Sequence, residues 1–113
     1  MDDAARRRKI EELGDELYDA LRARRTLSPL TKRWPEITIE DAYHVSLRMV
    51  RRRIEDDGEK IIGKKIGVTS LAVQEMLGVY QPDFGYLTDK MMYPNGGPMP
   101  ISEQLIQPRA EGE

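Results

Sequence analysis

At 113 residues, 39% hydrophobic and 34% charged, the chain has room for one modest core beneath a heavily charged surface. A net charge of −2 argues against nucleic acid as the main partner, and the lack of cysteine excludes disulfides, thiolate catalysis and cysteine metal sites. No long apolar run reads as a membrane span or a secretory signal, so no membrane partner is expected and the default setting is cytoplasmic.

Ile10, Leu13, Leu17 and Leu21 recur at helical spacing, and the first segment is an amphipathic helix by this pattern. Asp2 and Asp3 suit its positive end, and Arg22 to Arg25 suit its negative end. The basic runs Arg6-Arg7-Arg8-Lys9 and Arg51-Arg52-Arg53 are each followed by acidic residues, the pattern of ion pairing on a solvated helix face. Pro29 and Pro35 break the periodicity, so "LSPLTKRWPEIT" reads as a loop with Trp34 as its packing anchor. A second helix follows. Thr38 with Asp41 forms a capping-box pattern, Ala42, Val45, Met49 and Val50 supply an apolar stripe, and Gly58 fits the C-cap. His44 lies beside that stripe with no ligand-type residue four positions on, which suits a structural or surface role.

After Gly58 the pattern changes. "EKIIGKKIGVTS" is β-branched and punctuated by glycine, and reads as a strand. Ser70 and Gly78 bracket a short helix, "QPDFGYLTD" turns into a second short strand, and Asn95-Gly96-Gly97 marks a tight turn. "EQLIQPRAEGE" reads as a last strand, edge-like or bulged because Pro108 lacks an N–H. The expected class is α+β, with a helical region over residues 1–58 and the first part of a β-rich unit over residues 59–113. So few short strands make a marginal sheet, and the expectation is an N-terminal piece of something longer.

Three groups could carry chemistry. On a strand, Glu111 and Glu113 would share a face roughly 6.5–7 Å apart, a spacing suited to a divalent cation between two carboxylates. By spacing alone the favoured reading is two solvated glutamates, since E-x-E is a weak motif. Lys64 and Lys65 point to opposite faces of a strand, and Lys65 shares its face with Gly63 and Gly67, which leave room beside the backbone. A partly buried lysine there could act in proton transfer, and two solvent lysines guarding an edge is the other reading. Asp83 either shapes the turn after Pro82 or stands at a pocket rim as a water-activating carboxylate.

Together, "GKKIGVTS", "LGVYQPDFGYLTD" and "PISEQLIQPRAEGE", in this order, resemble the hydratase/decarboxylase family of aromatic meta-cleavage pathways, within the fumarylacetoacetate hydrolase-like superfamily. "LGDELYDAL" and "IEDAYHVSLRMV" extend the resemblance over nearly the whole chain. It implies a fumarylacetoacetase-like mixed β-roll of which this chain holds only the beginning. It places Glu111 and Glu113 on a Mg²⁺- or Mn²⁺-binding E-x-E pair whose third carboxylate lies farther along. It places Lys65 on the family's active-site lysine and Asp83 on the aspartate of the hydratases' P-D-F-G string. Thr69 and Ser70 fall in the turn after the lysine strand, where they would line a substrate pocket.

The implied reaction is addition of water to 2-hydroxypenta-2,4-dienoate, giving 4-hydroxy-2-oxopentanoate. The family's 4-oxalocrotonate decarboxylases need an electron sink but no water-activating base, so Asp83 favours the hydratase branch. A hydratase of a longer oxo-heptenedioate is a further reading, and so is a catalytically incomplete interaction module. The resemblance also implies homo-oligomers and association of the hydratase with the decarboxylase.

Overall fold

The computed structural model describes residues 1–112, the side chains of Glu103 and Gln104 apart. Its elements in chain order are α1 (Asp3–Ala23), α2 (Leu30–Arg33), α3 (Ile39–Asp57), β1 (Ile61–Gly67), α4 (Leu71–Leu77), β2 (Asp83–Thr88), a 3₁₀ turn (Asp89–Met91) and α5 (Ile101–Gln104). The α+β class is as expected.

Asp2 caps α1 by accepting from the Ala5 N–H, and Arg24 ends it in the left-handed conformation at φ +56°. Thr38 and Asp41 form the reciprocal capping box of α3, at 3.1 and 2.9 Å, and Gly58 closes that helix at φ +70°. The contacts between α1 and α3 climb both helices together. Arg6 pairs with Asp41, Arg48 reaches Asp15 at 2.8 Å and Arg22 reaches Asp57 at 2.9 Å. The two long helices therefore lie side by side in parallel, and the connection between them has to run back along their length. Trp34 anchors that return, at 2% exposure, against Leu13 and Val45, with Ile10, Leu17, Leu30 and Ile37 around them. Burying side chains of this kind contributes about 1.5–3 kcal/mol each. The segment expected as a loop carries one short helical turn, α2, ahead of Trp34.

β1 and β2 form a two-stranded antiparallel sheet in which Lys65 pairs with Gly85 and Gly67 with Asp83. Glu59, just before β1, ties the sheet to the helices. Its carboxylate accepts from Arg53 Nε at 2.9 Å, Arg22 Nη2 at 2.7 Å and the Thr88 hydroxyl. Glu59 and Thr88 are both buried.

The expected last strand does not form. After α5 the chain continues without regular structure through Gly112. A strand exists only where its N–H and C=O groups meet a partner edge. Among the described residues β1 and β2 pair only with each other, and Pro108 can donate nothing to a ladder. The segment is held instead by Arg24, whose guanidinium donates to the Leu105 carbonyl at 2.9 and 3.2 Å.

Candidate active site

The sheet register decides which side chains share a face. Residues opposite each other across an antiparallel ladder point the same way, and so do positions i and i+2. Lys65, Gly67, Asp83 and Gly85 therefore form one patch, with the lysine and the aspartate on its diagonal, about 7–8 Å apart at Cα. The two glycines occupy the other diagonal. A Cβ on Gly67 would lie 2.8 Å from Asp83 Oδ1, whereas one on Gly85 would meet nothing within 4 Å. The missing side chain at Gly67 makes room for the carboxylate, and the one at Gly85 leaves the space beside Lys65 open. Lys64 faces the other way, its ammonium 5.5 Å from the centre of the Tyr86 ring.

This patch is one wall of an open cavity of about 530 Å³. Ile39, Ala42, Tyr43 and Ser46 of α3 line it as well, together with Phe84, Tyr86 and Leu87 of β2. The spacing of the α3 residues, three, four and seven, puts them on one helix face, distinct from the face that Asp41, Val45 and Arg48 turn to α1. Tyr43 stacks on Phe84 among these lining residues, with ring centroids 4.5 Å apart. The sequence reading missed the α3 lining. Its only trace there is the second i, i+3, i+4, i+7 set in α3, and nothing local says that a sheet lies across from it.

Lys65 and Asp83 are thus brought together at the cavity. Both stay exposed, so of the two readings open for Lys65 the structure shows the solvent-exposed one. Thr69 and Ser70 are not among the residues lining this cavity, and the Ser70 hydroxyl caps α4 by accepting from the Val73 N–H at 3.2 Å. Glu111 is exposed on irregular chain, so the same-face geometry argued for the E-x-E pair is not realised by a strand. Glu113 lies outside the described residues. No group of three or more acidic or histidine side chains that could hold a metal ion is assembled among the described residues. His44 is at the surface, 3.8 Å from Glu40, as its sequence position suggested.

No family model matches the chain. The 2-hydroxypent-2,4-dienoate hydratase of Pseudomonas putida is 68% identical to it over 104 residues, which are 92% of this chain and 46% of that protein. The resemblance to the hydratase/decarboxylase family is thereby shown. The 2-hydroxyhexa-2,4-dienoate hydratase of Comamonas testosteroni is 61% identical over 105 residues, 92% of this chain and 39% of that protein. Within the same family, the solved 4-oxalocrotonate decarboxylase from Pseudomonas putida G7, complexed with magnesium and adipate, superposes with a TM-score of 0.68 at 36% identity. That match covers 74% of this chain and 32% of the other. The same decarboxylase is also solved with calcium and acetate. The chain spans less than half the length of the hydratase/decarboxylase relatives it matches.

Proposed function

We propose that this chain carries part of the active site of a hydratase that adds water to 2-hydroxypenta-2,4-dienoate. The observation that carries the reading is the pairing of Lys65 and Asp83 on one cavity wall, a cationic proton donor and a carboxylate on the same face. The higher identity to dienoate hydratases than to the decarboxylase, 68% and 61% against 36%, favours water addition over loss of carbon dioxide.

In this reading the apolar wall of Ile39, Ala42 and Leu87 takes the hydrocarbon part of the dienoate. Lys65 assists proton transfer as the dienol becomes an α,β-unsaturated 2-oxo acid. Asp83 then holds water and takes its proton as the oxygen bonds to C4, and a proton delivered to C3 completes 4-hydroxy-2-oxopentanoate. Thr69 and Ser70 would lie at the edge of the substrate site.

A divalent cation is supported by the magnesium and calcium complexes of the solved relative. When bound, such an ion would stabilise negative charge on the 2-oxygen of the substrate. Magnesium or manganese, held in part by Glu111 and Glu113, is the finer form of the proposal. The described residues do not by themselves assemble the donor set, and no step above is routed through the ion. Homo-oligomerisation, association with 4-oxalocrotonate decarboxylase and a cytoplasmic setting belong to the same proposal.

The test is Asp83→Asn with 2-hydroxypenta-2,4-dienoate and 4-oxalocrotonate as parallel substrates. Loss of a general base lowers hydration by about 10²–10⁴-fold. Near-normal hydration by the variant removes Asp83 from that role, and faster turnover of oxalocrotonate than of dienoate by the unaltered protein overturns the hydratase reading.

A further inference from the structure

Directly after Gly67, and outside the residues used above, the backbone does something unusual. Val68 has φ +55°. A β-branched residue strongly disfavours the left-handed region, because Cβ crowds the following carbonyl. Such a conformation persists only where its surroundings over-determine it. Among the described residues, one side chain bonds to this turn. Gln74 of α4, 8% exposed, donates from Nε2 to the Val68 carbonyl at 3.0 Å. Gln74 is itself fixed by its helix. Its N–H donates to the Ser70 carbonyl at 3.0 Å, and its carbonyl accepts from the Val79 N–H at 2.9 Å in the Gly78 cap.

Val68 is also the first residue past the Gly67–Asp83 pair, where Asp83 Oδ1 occupies the space of a missing Cβ. Relaxation of Val68 to a negative φ would swing the Gly67–Val68 peptide and with it the floor beneath the carboxylate. We infer that Gln74 is a positioning residue: by clamping the Val68 carbonyl it holds the end of β1 in the conformation in which Gly67 leaves room for the Asp83 carboxylate. The inference rests on the proposed hydratase reading for its functional meaning, and its conformational content stands apart from that reading.

The experiment uses Gln74→Met, which keeps length and helix preference but has no donor, alone and combined with Val68→Gly. Glycine adopts a positive φ unaided. In Gln74→Met, amide hydrogen exchange at Gly67 and Asp83 accelerates about tenfold while that of α1 and α3 is unchanged, and kcat/KM for dienoate hydration falls about tenfold. Val68→Gly added to Gln74→Met restores both toward the original values, which a merely structural glutamine would not allow, since a second flexible residue would only loosen the fold further. Unchanged exchange at Gly67 and Asp83 in Gln74→Met, or no restoration in the double variant, overturns the inference. Should Gln74→Met alone fail to fold, recovery of the fold and of slow exchange in the double variant supports the clamp, and failure of that variant too overturns it. Absence of hydration in the unaltered protein counts against the hydratase reading, and the exchange measurements then decide the clamp alone.

Discussion

Gly67 and Asp83 face each other across β1 and β2 so closely that a β-carbon on the glycine would lie 2.8 Å from the carboxylate oxygen. The clash involves the far end of a flexible side chain, so Gly67→Ala is relieved by turning the Asp83 carboxylate aside at little cost in stability. The loss falls on geometry. Gly67→Ala is expected to lower hydration by about ten- to a hundredfold, the scale of an ångström-level misplacement, with a nearly unchanged thermal midpoint. A steady-state assay beside a melting curve checks both halves, and a large drop in melting temperature would count against this explanation.

Gly14 shows the opposite balance. A β-carbon there would overlap Cβ and Cγ of Arg48 and lie 2.9 Å from the Val45 carbonyl oxygen, and neither the Arg48 Cβ nor that oxygen can swing away. Gly14→Ala must push α1 and α3 apart where Gly14 meets Val45 and Arg48. Overpacking of this kind costs about 1–3 kcal/mol. Urea unfolding followed by circular dichroism reads it as a lower midpoint, and an unchanged or higher midpoint would show that the helices are not in such close contact.

Glu59 is the joint between the helical layer and the sheet. Glu59→Gln leaves Arg53, 8% exposed, without its carboxylate, and removes the negative charge that Arg22 also meets. Breaking a buried ion pair by removing one partner costs about 3–5 kcal/mol. Hydrogen exchange at Thr88 and neighbouring β2 amides should rise with the loss of global stability. If β2 stays protected, the sheet is held by something other than this network.

Stability is expected to fall in acid, and the sign follows from depressed carboxyl groups. The Arg6 guanidinium, helped by the Thr38 N–H, lowers the Asp41 carboxyl from 3.8 to about 2. Hydrogen bonding from Arg48 lowers Asp15, and the Lys60 N–H lowers Asp89. A group depressed in the folded state contributes stability that is complete above its unfolded value and fades as pH falls through the folded one. The thermal midpoint should therefore drop between roughly pH 4 and pH 2. Asp41→Asn should lie below the unaltered protein at neutral pH and converge on it near pH 2. Parallel curves over that range would exclude Asp41 as a source of the acid sensitivity.

Much of the local structure was legible because it is decided over a few residues. Thr38 with Asp41, Ser70 and Gly78 mark helix ends through hydrogen bonds spanning one turn, and they sit where they were expected. The alternation that puts Lys64 and Lys65 on opposite faces is a property of any strand. The last strand was misjudged for the complementary reason, since β structure at residues 105–112 depends on a partner edge that no local pattern supplies.

The sequence by itself determined the helix caps, the two strands and the kinds of group able to act, because each follows from backbone sterics and short-range hydrogen bonding. Only the tertiary structure decided that α1 and α3 run parallel, with Trp34 buried in the return between them, and that the second face of α3 walls the cavity. It alone set Lys65 diagonal to Asp83, since that depends on the β1–β2 register, in which a one-residue slip would send the two to opposite faces. Contacts between distant segments are fixed by which surfaces bury each other, and that choice is made by the whole chain at once.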